Sequence, residues 1–510
     1  MLNIYTVKKI WAVQWSVVVF LLISSGSIAQ TKPNIIWLMA EDISNDLACY
    51  GMKAVKTPNL DLLAATGVKY TNCFVTNPIC SPSRSAMMTG MHQLQINAQH
   101  HRSNRDVPLP INIKPFTYYL RQAGYTCVLG NELVKGKGRK TDCNFKHQPI
   151  GPYDGVSKFG LFDQLDVLPT DGKPFFAQIQ LVATHRGDWW DEVRNQSKHP
   201  VDPNQVELPP YLPNDSIVRL DWAKYLDQME YIDNEVGLII ADLKKKNLYD
   251  NTVIIFIGDN GRCNVFGKGY LHEPGLLVPF IMNWPKGIPT PSVNNNVVMA
   301  TDITATILTL AGIKPPANMD GRSVMTKGFG RTFVYGARDT WDEILDKSRS
   351  VYTSQYAYIN NQMPWVPWDA HQTYLEFYRP AVHRLRALKY EGKLDSITAS
   401  FLQPIKPTEE LYDRKNDPYQ LHNLVNNPAY ASILNSMRGT QLAESKRLQA
   451  PINIYHPTYA QSVDIYDFVK YRYPAQYAQM LAGKEIGFGR FTKMYKEWMI
   501  ANGYTDPDTD

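Results

Sequence analysis

Apolar and polar positions divide this chain into short runs of two kinds. Pro33–Met39, PNIIWLM, is a continuous apolar run after a proline, and it predicts a strand covered on both faces, as in a parallel sheet. Thr252–Gly261, TVIIFIGDNG, repeats the design. Between them, Tyr225–Leu248 carries apolar residues at helical spacing and predicts an amphipathic helix packed on the sheet. Asp302–Ile313 predicts a further helix, with an acid near its start and a glycine stop. Strand and helix alternate throughout, so the fold class is α/β.

From about Ser350 the texture changes. Ser350–Asn361 alternates like a strand, and Glu409–Tyr430 reads as a strand, a turn-rich link and a helix start. A smaller α+β domain is therefore expected to begin near residue 345, dividing the chain into a catalytic α/β domain over 30–345 and a C-terminal part over 346–510. The segment beyond Pro451 is rich in Tyr and Phe and is expected to lie against the surface.

The first residues have a different character. Lys8 and Lys9 precede an apolar run from about Ile10 to Ile23, and Ser27-Ile28-Ala29 offers small residues for cleavage. This predicts a secretory signal peptide over 1–29, cut after Ala29, and an exported, periplasmic or secreted protein. A membrane anchor is the alternative, but a span needs roughly 20 apolar residues and Gln14 interrupts this shorter run.

Composition changes this picture little. A chain of 510 residues suits one large domain and a smaller one. Hydrophobic residues at 44% and charged residues at 20% exclude a disordered chain. The net charge of +5 suits an anionic ligand without demanding one, and no nucleic-acid partner is expected. The six cysteines fit no zinc spacing.

The chemistry lies where the apolar runs stop. Glu41-Asp42 follows the first predicted strand and Asp259-Asn260 follows the second. Open α/β sheets bind ligands at the carboxyl ends of their strands. Either pair alone reads as a turn or a helix cap. Together, at equivalent places on one sheet, they read as an oxygen cage for a hard cation such as Ca²⁺.

Cys80-Ser81-Pro82-Ser83-Arg84 resembles the Cys-x-Pro-Ser-Arg signature of the type I sulfatases, the formylglycine-dependent branch of the alkaline-phosphatase superfamily. PNIIWLMAEDI, TVIIFIGDNG, Gly267–Pro285 and the segment from Glu409 are similar to the family's segments, in the same order. The resemblance implies the alkaline-phosphatase-like architecture, a large and mostly parallel central sheet flanked by helices, with a smaller C-terminal α+β domain. It implies a sulfuric ester hydrolase in which a maturation enzyme converts Cys80 to formylglycine and Arg84 holds it. Glu41, Asp42, Asp259 and Asn260 would hold one divalent cation, with the modified Cys80 as a further ligand. Lys268 would contact the sulfate ester, His185 the leaving oxygen, and Lys140 would match the lysine of a Gly-Lys-x-His motif.

Two departures stand out. Glu41 replaces the usual first Asp, and Asp142 stands where the family has a His two residues after the lysine. The role of that His passes to Asp142, His100 or His101. Tyr335–Ser350 resembles a subgroup segment in which Arg338, Asp339, Asp342 and Glu343 would grip sugar hydroxyls, with Trp341 as an apolar face for a pyranose ring; a salt-bridge cluster at a domain border is the alternative. The expected substrate is a sulfated carbohydrate. The alternatives are a phosphonate monoester or phosphodiester hydrolase of the same superfamily and a non-catalytic carbohydrate-binding relative.

Overall fold

The computed structural model describes residues 32–448, apart from 154–159, 188, 289–290, 343, 371 and 373–378, together with 468–481, 494, 497–498 and 501. The signal peptide expected over 1–29, Glu343 and most of the segment beyond Pro451 lie outside the described residues.

The central sheet is built from β1 (Asn34–Ala40), β2 (Val68–Phe74), β3 (Thr126–Leu129), β6 (Gln164–Leu165), β7 (Phe175–Leu181), β8 (Thr252–Gly258), β9 (Leu277–Asn283) and β10 (Ser292–Met299). A two-stranded accessory sheet is formed by β4 (Gln148–Ile150) and β5 (Gly160–Phe162). The eight strands run in the order β10-β2-β9-β8-β1-β7-β3-β6, and β9 alone is antiparallel to its neighbours. The strands β1, β7 and β8 are buried along their whole length, which is why they read as unbroken apolar runs.

Alternate residues of these strands feed two cores. Ile36, Leu38, Ile254 and Phe256 pack with Val236 and Ile239 of the helix Ser216–Lys245. Ile35, Trp37, Val253 and Ile255 pack on the opposite face with Met87, Phe116 and Ile303. The helix expected from Tyr225 starts nine residues earlier, at Ser216, because Asp215 caps it by accepting the Ile217 N–H at 2.9 Å. The helix expected over Asp302–Ile313 spans Thr301–Leu310.

A second, antiparallel sheet runs β11-β12-β13-β14, from β11 (Val334–Trp341) and β12 (Ile344–Tyr352) to β13 (Tyr356–Asn361) and β14 (Glu409–Asp413). Ser350–Asn361, expected as one strand, is instead the end of β12, a turn and β13. The Thr353 hydroxyl accepts the Tyr356 and Gln355 N–H groups and turns the chain. None of the six cysteines is paired in a disulfide. Among the described residues, no helix is long and apolar enough to cross a membrane.

Candidate active site

Register sets the site. Ala40 of β1 lies level with Leu181 of β7 and Gly258 of β8, so the three strands end together at their carboxyl edge. Glu41-Asp42, the turn to His185 and Asp259-Asn260 therefore leave the sheet side by side. Asp42 takes a left-handed backbone, φ 48°, which turns its side chain into this edge at a cost in strain. Its N–H and that of Asn260 both donate to Asp259 Oδ1, at 3.0 and 2.8 Å.

Cys80 opens the helix Cys80–Thr89, every residue of which is buried. Ile79 is extended, and Pro82 sits in the first turn, where a missing N–H costs nothing. Gly90 ends the helix with φ 68°. Cys80 Sγ lies 3.9 Å from Asp42 Oδ1. Burial, with Asp259 and Asp42, outweighs the pull of Lys268 and pushes the thiol up. Unmodified Cys80 is thus a protonated thiol at neutral pH and a poor nucleophile.

Arg84, one turn on, anchors this helix to the carboxylates. Its Nε and Nη2 donate to Asp259 Oδ2 at 3.0 and 2.7 Å, Nη1 donates to Gln180 Oε1 at 2.7 Å, and Glu41 lies 3.8 Å away. Lys268 Nζ donates to both oxygens of Asp42, at 2.7 and 3.0 Å, and Lys140 Nζ donates to Glu41 Oε2 at 2.6 Å. His185 Nε2 lies 3.9 Å from that same Glu41 oxygen. Burial pushes the Asp42 carboxyl up, but Lys268 and the Asn260 amide outweigh it and hold it down at about 2. Burial and Lys268 hold the His185 imidazole well below its ordinary range, so it is neutral.

The oxygen set fits a hard divalent cation. Glu41, Asp42 and Asp259 are all buried, and Asn260 Oδ1 is buried with no hydrogen-bond partner. Glu41, Cys80 and His185 also bring ligand atoms within 4.8 Å of one another.

Asp142 is 3.7 Å from Lys140, but it is not free to act as a base. Arg102 grips it with Nε at 3.0 Å and Nη2 at 2.9 Å, and Arg105 adds Nη2 at 2.8 Å. Burial raises its carboxyl, and Arg102, Lys140 and Arg105 overcome this and hold it well below the usual carboxylate range. His101 meets the residue after Cys80: its Nδ1 is 3.0 Å from Ser81 Oγ and its Nε2 is 3.7 Å from Asp342. His100 is turned to Thr340 at 2.5 Å.

Arg338 and Asp339 are buried neighbours with separate partners. Arg338 donates to Asp346 at 3.0 Å, and Arg349 pairs with Asp339 at 2.6 Å. Asp342, in contrast, faces His101 and accepts from Gln372 at 2.5 Å. Trp341 is buried against Gly269 rather than offered as an open face. Sequence reasoning missed Arg102, Arg105, Gln180 and Gln372. Arg102 was signalled only by its place beside His100 and His101, and an exposed arginine reads as surface.

Such a sheet, mostly parallel and with a smaller antiparallel sheet beside it, has the alkaline-phosphatase-like fold. Residues 33–313 match the sulfatase family model, and the chain belongs to the sulfatase family: it is a sulfatase enzyme. It is 29% identical to an ulvan-active sulfatase of Formosa agariphila, over 80% of this chain and 74% of that protein. Among solved structures, the fold resembles that of a protein named Ps i-CgsB in complex with k-i-k-neocarrahexaose (TM-score 0.56, 22% identity, 91% of this chain and all of that one). It also resembles a phosphonate monoester hydrolase of Silicibacter pomeroyi (TM-score 0.58, 16% identity, 83% of this chain and 96% of that one).

Proposed function

We propose that this sulfatase removes sulfate from a sulfated carbohydrate of polysaccharide origin, with Cys80 converted to formylglycine and a divalent cation, Ca²⁺ by its ligand set, held by Glu41, Asp42, Asp259 and Asn260. The observation that carries the reading is the meeting of Cys80, 3.9 Å from Asp42, with the carboxylates and with Arg84, Lys140, His185 and Lys268 at one sheet edge. The likeness to the ulvan-active sulfatase supports a sulfated polysaccharide as the source of substrate. Export, through a signal peptide over 1–29, fits such a substrate.

Formylglycine at position 80 would supply a geminal diol, with one hydroxyl to attack sulfur and a second whose deprotonation lets sulfate depart. A bound cation would offset the repulsion between the sulfate ester and that nucleophile. The chain's own groups divide the remaining work. The N-terminus of the helix Cys80–Thr89 favours the sulfate anion. Arg84, locked on Asp259 and Gln180, fixes where residue 80 sits. Lys268 and His185 face the ester oxygen and are both N–H donors to the leaving group. Lys140 keeps Glu41 in place. With Asp142 committed to two arginines, His101, linked to Ser81, is better placed than Asp142 to take the proton of the second hydroxyl.

Sulfate release from an aryl sulfate and from defined sulfated oligosaccharides tests the reading. The wild type is expected to release sulfate, and Cys80→Ala to release none above background while keeping its circular dichroism. EDTA should lower Tm and added Ca²⁺ restore it, because a ligand bound only by the folded state stabilises it. Faster turnover of an aryl phosphonate than of the aryl sulfate would identify a phosphonate hydrolase instead. Saccharide binding without any release would identify a non-catalytic relative.

A further inference from the structure

We infer that Arg102 is a recognition point for a second oxyanion on the substrate, a carboxylate or a further sulfate beside the ester being cleaved. The inference rests on the sulfatase reading of the Cys80 site and names the class of saccharide that site takes.

Arg102 is tied to the nucleophile's helix. Its N–H donates to Ser81 Oγ at 3.0 Å, one residue from Cys80. Its backbone is left-handed, φ 52°, a conformation an arginine rarely adopts unless its surroundings impose it. Asp142, itself left-handed at φ 48° and 2% exposed, holds the guanidinium by Nε and Nη2. Nη1 takes no part in this grip.

Asp142 faces two guanidinia, Arg102 and Arg105, and Lys140 lies 3.7 Å from it. Arg84 and Lys268 lie deeper in the site, with side chains 2% and 3% exposed, and are paired with Asp259 and Asp42. The Arg102 side chain is 41% exposed. With Arg105 at 29% and Lys140 at 25%, Arg102 is the most exposed of the cations paired with Glu41 and Asp142, and it is pinned. A guanidinium already fixed by a carboxylate loses little freedom when it binds, and its remaining N–H edge matches the oxygens of a carboxylate or sulfate. Arg338 offers no such edge, because it is buried on Asp346.

The test compares matched sulfated disaccharides: one pair with and without a uronate carboxylate, and one pair with and without a second sulfate. The reference substrate is 4-nitrophenyl sulfate, which carries a single anion. In Arg102→Gln, kcat/KM for the doubly charged member of at least one pair is expected to fall at least tenfold further than for its partner and for 4-nitrophenyl sulfate, mainly through KM. Whichever pair responds identifies the group. Arg102→Lys should recover part of the charge effect. Ratios within one variant do not depend on how much of it is folded. Equal losses on every substrate would overturn the inference and make Arg102 a ligand of the scissile sulfate or a structural residue. Unchanged ratios, or a wild type indifferent to the second charge, would also overturn it. Failure of the wild type to turn over any sulfate ester would instead overturn the sulfatase reading beneath it.

Discussion

Glu235, on the helix Ser216–Lys245, is buried, and its two oxygens fare differently. Oε1 accepts the Lys135 N–H at 2.5 Å, while Oε2 has no hydrogen-bond partner. Burial pushes the carboxyl up to about 7, against an ordinary 4.5. The folded state thus holds this proton when the unfolded state has lost it. Stability from this group is complete below about pH 4.5 and is lost as pH rises to about 7. Glu235→Gln keeps the acceptor and removes the charge, so it should stabilise the protein by up to about 3 kcal/mol above pH 7 and by little below pH 5. Urea midpoints at the two pH values check this. The residue scale is also where reading the sequence was most uneven. Glu41, Asp42, Asp259 and Asn260 were visible because two polar pairs follow equivalent apolar strands, although either pair alone reads as a turn or a cap. Arg102 and Arg105 were not, because their meaning depends on Asp142, which lies 40 and 37 positions away.

At the scale of elements, β1 and β8 were legible because burial on both faces leaves no polar alternation. The start of the helix at Ser216 was not, since Asp215 acts as a cap only once the chain is seen to turn there. The turn at Thr353 was hidden for a related reason: a hydroxyl bonding to nearby N–H groups leaves the alternation on either side intact. The segment from Gly267 to Leu276, which ends in the helical turn Glu273–Leu276, shows how tightly a stretch of chain can be specified. Gly269 has φ 90°, and a Cβ there would fall 1.8 Å from Trp341 Cζ3. Gly269 also donates its N–H to Pro78 O at 2.9 Å, which ties the Lys268 loop to the segment before Cys80. Gly269→Ala should cost roughly 2–4 kcal/mol from backbone strain and overpacking, and should lower kcat by displacing Lys268. Loss of activity with full stability retained, as measured by denaturation, would contradict this.

Across the whole molecule, the two sheets share a core in which Tyr352 and Tyr412 pack with Phe74 and Leu276, and Arg414 ties them together at several points. It pairs with Glu273 at 2.5 Å, donates to Asn72 on β2 at 3.0 Å and to Thr353 O at 2.7 Å, and stacks over Phe74 and Tyr352. Arg414→Ala would leave Glu273 without its cation and should cost about 3–5 kcal/mol. Lysine should not rescue it, because one ammonium cannot make the fork and the stack together. Denaturation of both variants checks the point. The change of texture in the sequence near Ser350, like the domain start expected near residue 345, falls inside β12, whereas the second sheet opens at Val334. β11 is buried from end to end although its sequence, VYGARDTW, is not an apolar run. Ala337 also donates to Thr76 O at 2.9 Å, which joins β11 to the segment leading to Cys80. Neither tie leaves a mark in composition.

The central claim is that Cys80 is the precursor of the nucleophile rather than the nucleophile itself. Mass spectrometry of the peptide containing Cys80, from protein purified in its native host and active in sulfate release, tests this most directly. The account predicts an aldehyde at position 80, with the peptide lighter than its cysteine form by the exchange of H₂S for O and reactive toward hydrazides. An unmodified thiol at Cys80 in a preparation that releases sulfate would contradict it.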